Sequence, residues 1–429
     1  MIKKCFGGLS RTIAPVAVLM FVAGSGSALA EELAEGTVIN AGNLASMESN
    51  TFEGQKIGDM LPFSMKMWIN DHGLEVPLQH SKDITIPDGL KAATAKYAGT
   101  VTYDHATKQI SNWVAGTPFT PHSEMALDDP LAGYKLAWNF FTTPAFRSDS
   151  VQTEAPTLLV DAVKGIEQSQ KLINYQLILK GRTSGGPVDL EPEDAAIFKR
   201  QLIIVTEPYD IAGLGSFSER YIDGRQDNAW AYVKSVRRTR RISGNVWADP
   251  LANTDLMGDD NGMMDAHPSW YKDIQLVGRR YLLNPGHTGG LTTHDNLHER
   301  FDLKNPPFWN PIGVGYEPKE VYVLEITNPD THPYSRKTVY MDTYRPHAGY
   351  SEMYDRKGDF WRTSLFTMNE MDAVNGDAAY AVSAFVVSDW QKMHGTVIHL
   401  DRFAANETFD VRKFNERSIE RAAKGQLQF

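Results

Sequence analysis

Cysteine is almost missing from the chain: 429 residues contain one, Cys5. Beyond that position, disulfides, thiol catalysis and cysteine-held metals are excluded. Long apolar runs are missing too. The longest, residues 13–22 (IAPVAVLMFV), falls well short of the ~20 residues that a spanning helix needs. Short catalytic strings are equally scarce. Gly213-Leu-Gly-Ser-Phe and Gly349-Tyr-Ser-Glu-Met both depart from Gly-x-Ser-x-Gly, and neither a phosphate-binding loop nor a Gly-x-Gly-x-x-Gly after a strand occurs. Nor is there an excess of positive charge. With 43 Lys and Arg against 53 Asp and Glu the net charge is −10, which argues against nucleic acid or anionic headgroups as the main partner.

What is present at the N-terminus is a leader. Lys3, Lys4 and Arg11 come before the apolar run, no acid accompanies them, and Ala28-Leu29-Ala30 puts small residues at the −3 and −1 positions. This pattern predicts a secretory signal over residues 1–30, cleaved after Ala30, and a periplasmic location. Without a cysteine at the cleavage point the mature chain carries no lipid anchor, and it does not span the membrane as a helix. Removing the three cations takes its net charge to −13. Residues 31–429 are expected to form a single domain with an elaborated N-terminal region, about 31–150.

The body of the chain has the rhythm of strands. Ile173, Tyr175, Leu177 and Leu179 alternate with Asn174, Gln176 and Lys180, a period of two. Further strands are predicted over QLIIVTEP (201–208), over 230–241 as one long strand, and over 274–283, 320–327, 336–343, 360–367, 379–388 and 396–403. Turn sequences such as Asn328-Pro329-Asp330 and Asn375-Gly376-Asp377 separate them. Pro87-Asp88-Gly89 opens a helix that runs through Tyr97. A short helix is expected from Pro192, and the charged tail 411–426 is helical in period. Residues 113–150 are dense in aromatics and prolines and read as an irregular region lying on a core. Long helices do not alternate with the strands, so a mainly β (α+β) chain with a large curved antiparallel sheet is predicted. Its concave face requires an apolar cover: helices, the aromatic region or a ligand.

Several segments resemble a known family. Trp230 to Arg241 (WAYVKSVRRTRR) is similar to the W-x-Y … R-R-x-R-R strand of a family of unknown function within the LolA/LolB-like superfamily of periplasmic lipoprotein carriers. Gly116-Thr-Pro-Phe119, Asp129-Pro130-Leu-Ala-Gly133 with Trp138-Asn139, EVYVLEITNP with HPYSRKTVYMD across 320–342, and His399-Leu-Asp-Arg-Phe403 follow in the expected order. The resemblance implies a half-open antiparallel β-barrel with helices plugging its concave face around an apolar groove. It also implies a role in lipoprotein sorting or outer-membrane biogenesis, beside an inner-membrane exporter of the resistance-nodulation-division type and an outer-membrane protein. The chain is about twice the length of a lipoprotein carrier, so no ligand residue transfers.

The expected function is thus a carrier or binding protein for a lipid, an acyl group or another hydrophobic small molecule, without cofactor or catalysis. A non-catalytic accessory subunit of an envelope transport complex and an enzyme acting on a hydrophobic substrate are the alternatives. Candidate groove residues are Trp138, Phe140 and Phe141, Trp230 and Tyr232, and Tyr322, Leu324 and Ile326. Taken singly, each is explained more plainly by packing against covering helices. Arg237, Arg238, Arg240 and Arg241 are headgroup candidates; salt bridges with surface acids are their plainer explanation. On one strand, Arg237 and Arg241 would share a face, and Arg238 and Arg240 the other. No metal is expected. Gly258-Asp259-Asp260-Asn261-Gly262 with Asp265 and His267 lacks EF-hand spacing. His294-Asp295-Asn296-Leu297-His298-Glu299 places its acids wrongly for a zinc protease and reads as a loop.

Overall fold

The computed structural model describes residues 30–143, 148–186, 188, 190–287, 294–408 and 410–427, without the side chains of Ala252, His294 and Asp295. Of the leader expected over residues 1–30, residues 1–29 lie outside the described residues, as do Phe146 and the terminal Phe429.

Fourteen strands form one antiparallel sheet. In chain order they are β1 (Ser150–Asp161), β2 (Gly165–Ile178), β3 (Ile197–Glu207), β4 (Gly215–Tyr221), β5 (Asn228–Val233), β6 (Arg238–Ile242) and β7 (Asp273–Gly286). Then come β8 (Gly315–Thr327), β9 (Arg336–Asp342), β10 (Ala348–Tyr354), β11 (Phe360–Asp372), β12 (Ala378–Asp389), β13 (His394–His399) and β14 (Arg402–Ala405). The spatial order is β6-β5-β4-β3-β2-β1-β13-β12-β11-β10-β9-β8-β7, and β14 continues the pairing of β13 along β1. Two meanders, β1–β6 and β7–β13, are therefore joined where Val397 lies opposite Leu158. The sheet does not close. It curls enough for Asn284 of β7 to lie against Gly349 of β10, three strands away. The open, mainly β architecture expected from the alternating segments is present.

Two departures have physical causes. Residues 230–241 form a hairpin, not one strand: Val233 pairs with Arg238, and the tip at 234–237 ends on Arg237 with φ 52°. The tip, Lys234-Ser-Val-Arg237, has no glycine, proline or asparagine to mark the turn. Strands β1 and β10 escaped period-two reading because both of their faces are covered; every residue of β10 is buried.

This topology has one unavoidable consequence. β6 and β7 are consecutive in the chain yet form the two opposite edges of the sheet. Residues 243–272 must therefore cross the sheet from edge to edge. This crossing segment is built of short 3-10 turns, among them Val246–Ala248, Gly258–Met263 and Pro268–Trp270.

The helices are α1 (Leu44–Met47), α2 (Ile57–Met60), α3 (Phe63–His72), α4 (Asp88–Tyr97), α5 (Ala132–Phe141) and α6 (Arg417–Ala423). The aromatic region, expected to be irregular, contains α5, nine of whose ten residues are buried. It lies beside the crossing segment on the same face, packing Leu136 and Phe140 in one cluster with Trp247, Met263 and Ile274. The N-terminal segment covers part of the opposite face. There Trp68 of α3 donates its indole N–H to Asn310 Oδ1 at 2.7 Å, and its ring meets Trp390 edge-on at 5.3 Å. On that face of the first meander, α6 and Phe414 pack on Leu202, Phe217 and Trp230.

Gly133 lets α5 touch the edge strand, since a Cβ there would lie 2.3 Å from the Ile274 carbonyl oxygen. Gly133→Ala is expected to push α5 off β7 and to lower unfolding stability by about 1–3 kcal/mol, measured by urea denaturation. An unchanged midpoint would show that α5 is not seated this closely.

Candidate ligand-binding cavity

The crossing segment is polar where it meets the sheet. Asp259 and Asp260 converge on the ammonium of Lys337 in β9, at 2.8 and 2.7 Å, and all three side chains are almost wholly buried. Tyr271 donates its hydroxyl to Asp259, and Tyr334 donates to Asp260 at 2.8 Å. Five residues on, Asp265 pairs with Lys199 of β3 at 2.7 Å and with Arg220 of β4 at 3.1 Å. Arg220 also holds Asp227, at 2.8 Å. Between these anchors and β6, Asp255 accepts hydrogen bonds at 2.7 Å from Thr396 Oγ1 and His394 Nδ1, and Arg362 donates to its carbonyl. The anchors thus join the crossing segment to β9 and β13 of one meander and to β3 and β4 of the other.

Electrostatics follow from one ammonium serving two buried carboxylates. Burial pushes the Asp259 pKa up, and Lys337 and Tyr271 do not offset it. Burial also opposes the Asp260 charge, but Lys337, the Met257 N–H and Tyr334 outweigh it and hold its pKa below the ordinary value. The two acids raise Lys337 in turn, against its own burial.

His267 anchors the end of the crossing segment. Its Nε2 lies 3.2 Å from the Ile222 carbonyl and its Nδ1 accepts from the Ser269 N–H. Trp138 and Phe141 of α5 meet the ring at 4.9 and 5.0 Å between centroids. Burial lowers its pKa to about 4.

Between the anchors a cavity of about 310 Å³ remains beneath the crossing segment. That lies at the lower end of the roughly 300–1,000 Å³ typical of small-molecule sites. Leu172, Ile203, Val382, Phe385, Ile398 and Leu400 come from the sheet, and Trp247, Pro250 and Leu251 from the crossing segment. The polar side is formed by Asn174 and Gln201, joined by a 2.8 Å hydrogen bond, by Ser216 and Ser218, and by the Arg220–Asp227–Asp265 group. Such a lining suits an elongated apolar body with a polar end.

The model of a family described as "Protein of unknown function (DUF1329)" matches residues 38–422. The chain belongs to the DUF1329 family. An uncharacterised protein of Pseudomonas aeruginosa is 23% identical over 290 residues, which is 66% of this chain, and the match spans 60% of that relative's length. A crystal structure of a DUF1329 family protein from Desulfovibrio piger is similar over 68% of this chain and 99% of that one, with 17% identity and a TM-score of 0.45. An outer membrane lipoprotein-sorting protein domain from Vibrio parahaemolyticus is similar over 63% of this chain and 92% of that one, at 16% identity and TM-score 0.43. A LolA superfamily protein from Nitrosomonas europaea is similar over 66% and 97%, at 12% identity and TM-score 0.40.

None of the aromatic, aliphatic or arginine candidates of this DUF1329 chain lines the cavity, whereas Gly258, Asn261 and Asp265 of the aspartate-rich segment do. Tyr322, Leu324 and Ile326 lie on the cavity's face of the sheet but are fully buried, together with Phe140, in the cluster under α5. Trp138 and Phe141 pack with Ile178 and Phe198 beside His267. Trp230 and Tyr232 lie on the opposite face, against the cluster that α6 covers. Of the arginines, Arg237 is in the hairpin tip, Arg238 and Arg240 share the face of Ile242, which does line the cavity, and Arg241 takes the other face. All four are exposed. The aspartate-rich loop is the segment the sequence did single out. Its carboxylates meet Lys337, Lys199 and Arg220, and no group of three or more metal-binding side chains occurs among the described residues. His294–Glu299, expected as a loop, is a 3-10 helix. The rest of this lining had no readable signal, because small and polar residues such as Ser216 and Asn174 acquire meaning only once the crossing segment is placed over them.

Lys337→Met is expected to destabilise the protein by about 3–5 kcal/mol at neutral pH, because two buried carboxylates lose their counter-charge. In that variant the orphaned acids would bind protons more tightly folded than unfolded, so the deficit should shrink as pH falls. Denaturant titrations at pH 8 and pH 5 test this, and an equal deficit at both would refute the pairing.

Three buried histidines make a second expectation. Burial depresses His267 and His399 to about 4 and His332 to about 3. The unfolded chain, with histidine near ~6.5, then binds more protons below that pH. Stability from these three is full above ~6.5 and is lost as pH falls toward 4. His394, raised by its hydrogen bond to Asp255, works in the opposite sense and weakens as pH rises. A melting temperature that stays level between pH 6.5 and 4.5 would contradict the dominance of the buried three.

Proposed function

We propose that this chain is a periplasmic carrier or binding protein for an amphiphilic lipid or similar hydrophobic molecule, with the apolar body of the ligand in the cavity beneath the crossing segment. The supporting observation is the cavity itself: unfilled space, apolar walls drawn from both meanders, and a polar side at β3–β4. Burying ~100 Å² of acyl chain contributes roughly 2.5 kcal/mol, so such a site binds usefully without many specific polar contacts. The residue-based candidates fit this reading as the packing that fixes the walls. The resemblance of the sequence to the LolA/LolB-like superfamily of lipoprotein carriers supports the same class. Among the described residues no helix is long and apolar enough to cross a membrane. From the resemblance alone we add an exporter of the resistance-nodulation-division type and an outer-membrane protein as exchange partners, testable by site-specific crosslinking in intact envelopes.

Ser216 faces the cavity from β4, opposite Ile203. Ser216→Phe fills the space without touching an anchor. The wild-type protein is expected to bind a fluorescent fatty-acyl probe saturably, and the variant at least tenfold more weakly with an unchanged melting temperature. Absence of saturable binding by the wild type, or equal binding by the variant, overturns the reading.

A further inference from the structure

The end of the first meander that carries the β5–β6 hairpin has a composition unlike the rest of the chain. Lys234, Arg237, Arg238, Arg240 and Arg241 fall within eight residues that contain no acid, and all five are exposed. Among the described residues Arg237, Arg238 and Arg240 take part in no ion pair; Arg241 donates to Asn228. At the tip between them Val236 is 49% exposed.

Strand direction brings a second loop to the same end. β3 finishes at Glu207 and β4 starts at Gly215, so residues 208–214 turn beside the hairpin tip at 234–237. Lys234 Nζ ties the two together, 2.5 Å from the Asp210 carbonyl and 3.5 Å from that of Tyr209. Tyr209 is 94% exposed, the most exposed large hydrophobic side chain among the described residues. Next along, the β1–β2 hairpin ends in Val163, 84% exposed. Glu207 and Asp210 are the acids of the neighbouring loop, and Glu420 of α6 accepts from the Thr239 N–H at 3.2 Å, three acids against five cations.

We propose that this end of the sheet docks on an anionic bilayer surface, with the arginines at the level of the lipid phosphates and Tyr209 and Val236 entering the interface. Two independent features converge on that occupant. Positive charge without partners is complementary to an anionic surface, and an aromatic ring with a polar tip suits the headgroup boundary. Edge-strand charges serve to block strand pairing, but that role explains neither Tyr209 nor Val236. The acidity of the whole chain does not oppose docking, because charges more than ~8–10 Å from the surface are screened at physiological salt. Docking here would also bring Ile242, on the same strand and lining the cavity, near the membrane. The proposal does not depend on the cavity holding a ligand.

The test is co-sedimentation of the mature protein with vesicles of phosphatidylcholine alone and of phosphatidylcholine with phosphatidylglycerol. Each cation near an anionic surface strengthens partitioning about fivefold. Binding is expected only to the anionic vesicles and to weaken with salt. Arg238→Glu with Arg240→Glu should reduce it more than tenfold, and Tyr209→Ser severalfold, with melting temperatures unchanged. If either variant melts early, Arg237→Gln at the exposed tip gives the charge readout on its own, with an expected loss of about fivefold. Equal binding to both vesicles, binding to neither, or insensitivity to these substitutions overturns the proposal. Loss of probe uptake in the cavity with vesicle binding retained would count against the carrier reading alone.

Discussion

The attachment of three aspartates to three sheet cations is the constraint on which the rest of the molecule depends. Asp259 and Asp260 meet Lys337 of β9, and Asp265 meets Lys199 of β3 and Arg220 of β4. β9 belongs to one meander, β3 and β4 to the other. In between, β13 pairs with β1 and completes the sheet. A short stretch of chain thus spans the junction of two locally folded units and sets their relative placement from above, as backbone pairing does from within. Local hairpins form either meander readily; the join and the crossing are the long-range steps.

How much of this could be read from the amino acids depends on the range of the interaction. Period-two alternation marked β2, and short apolar runs between turn sequences marked β8 and β12, because neighbouring residues decide both signals. The helix at Asp88–Tyr97 was legible for the same reason, from a proline-led start. The 230–241 hairpin was not, since its tip has no glycine or asparagine to signal the turn and uses Arg237 at positive φ. The crossing segment stood out only as an aspartate-rich stretch that invited a cation. The cation exists, but as Lys337, 77 residues after Asp260, and in a single sequence nothing distinguishes that lysine from those that face water. The aromatic candidates failed as cavity residues for a related reason: large rings are the side chains best able to fill space, so they mark where the structure is closed.

An open cavity needs something that resists collapse, and apolar packing alone does not supply it. The hydrophobic effect is non-directional and grows with every Å² removed from water, so a purely apolar cover would settle onto the sheet until the void was gone. Ion pairs with buried partners behave differently. They are short, directional, and costly to stretch or to leave unpaired, so they set the height at which the crossing segment stands above the strands. Lys337 and Arg220 reach up from the sheet, and Asp259, Asp260 and Asp265 reach down, which makes each contact two side chains deep. Trp247, Pro250 and Leu251 are carried on the span between the edge of the sheet and these pins, and the empty volume lies beneath that span. On this argument the buried charges contribute little net stability in comparison with an apolar equivalent. Their role is separation: they keep a greasy cover from closing on a greasy floor.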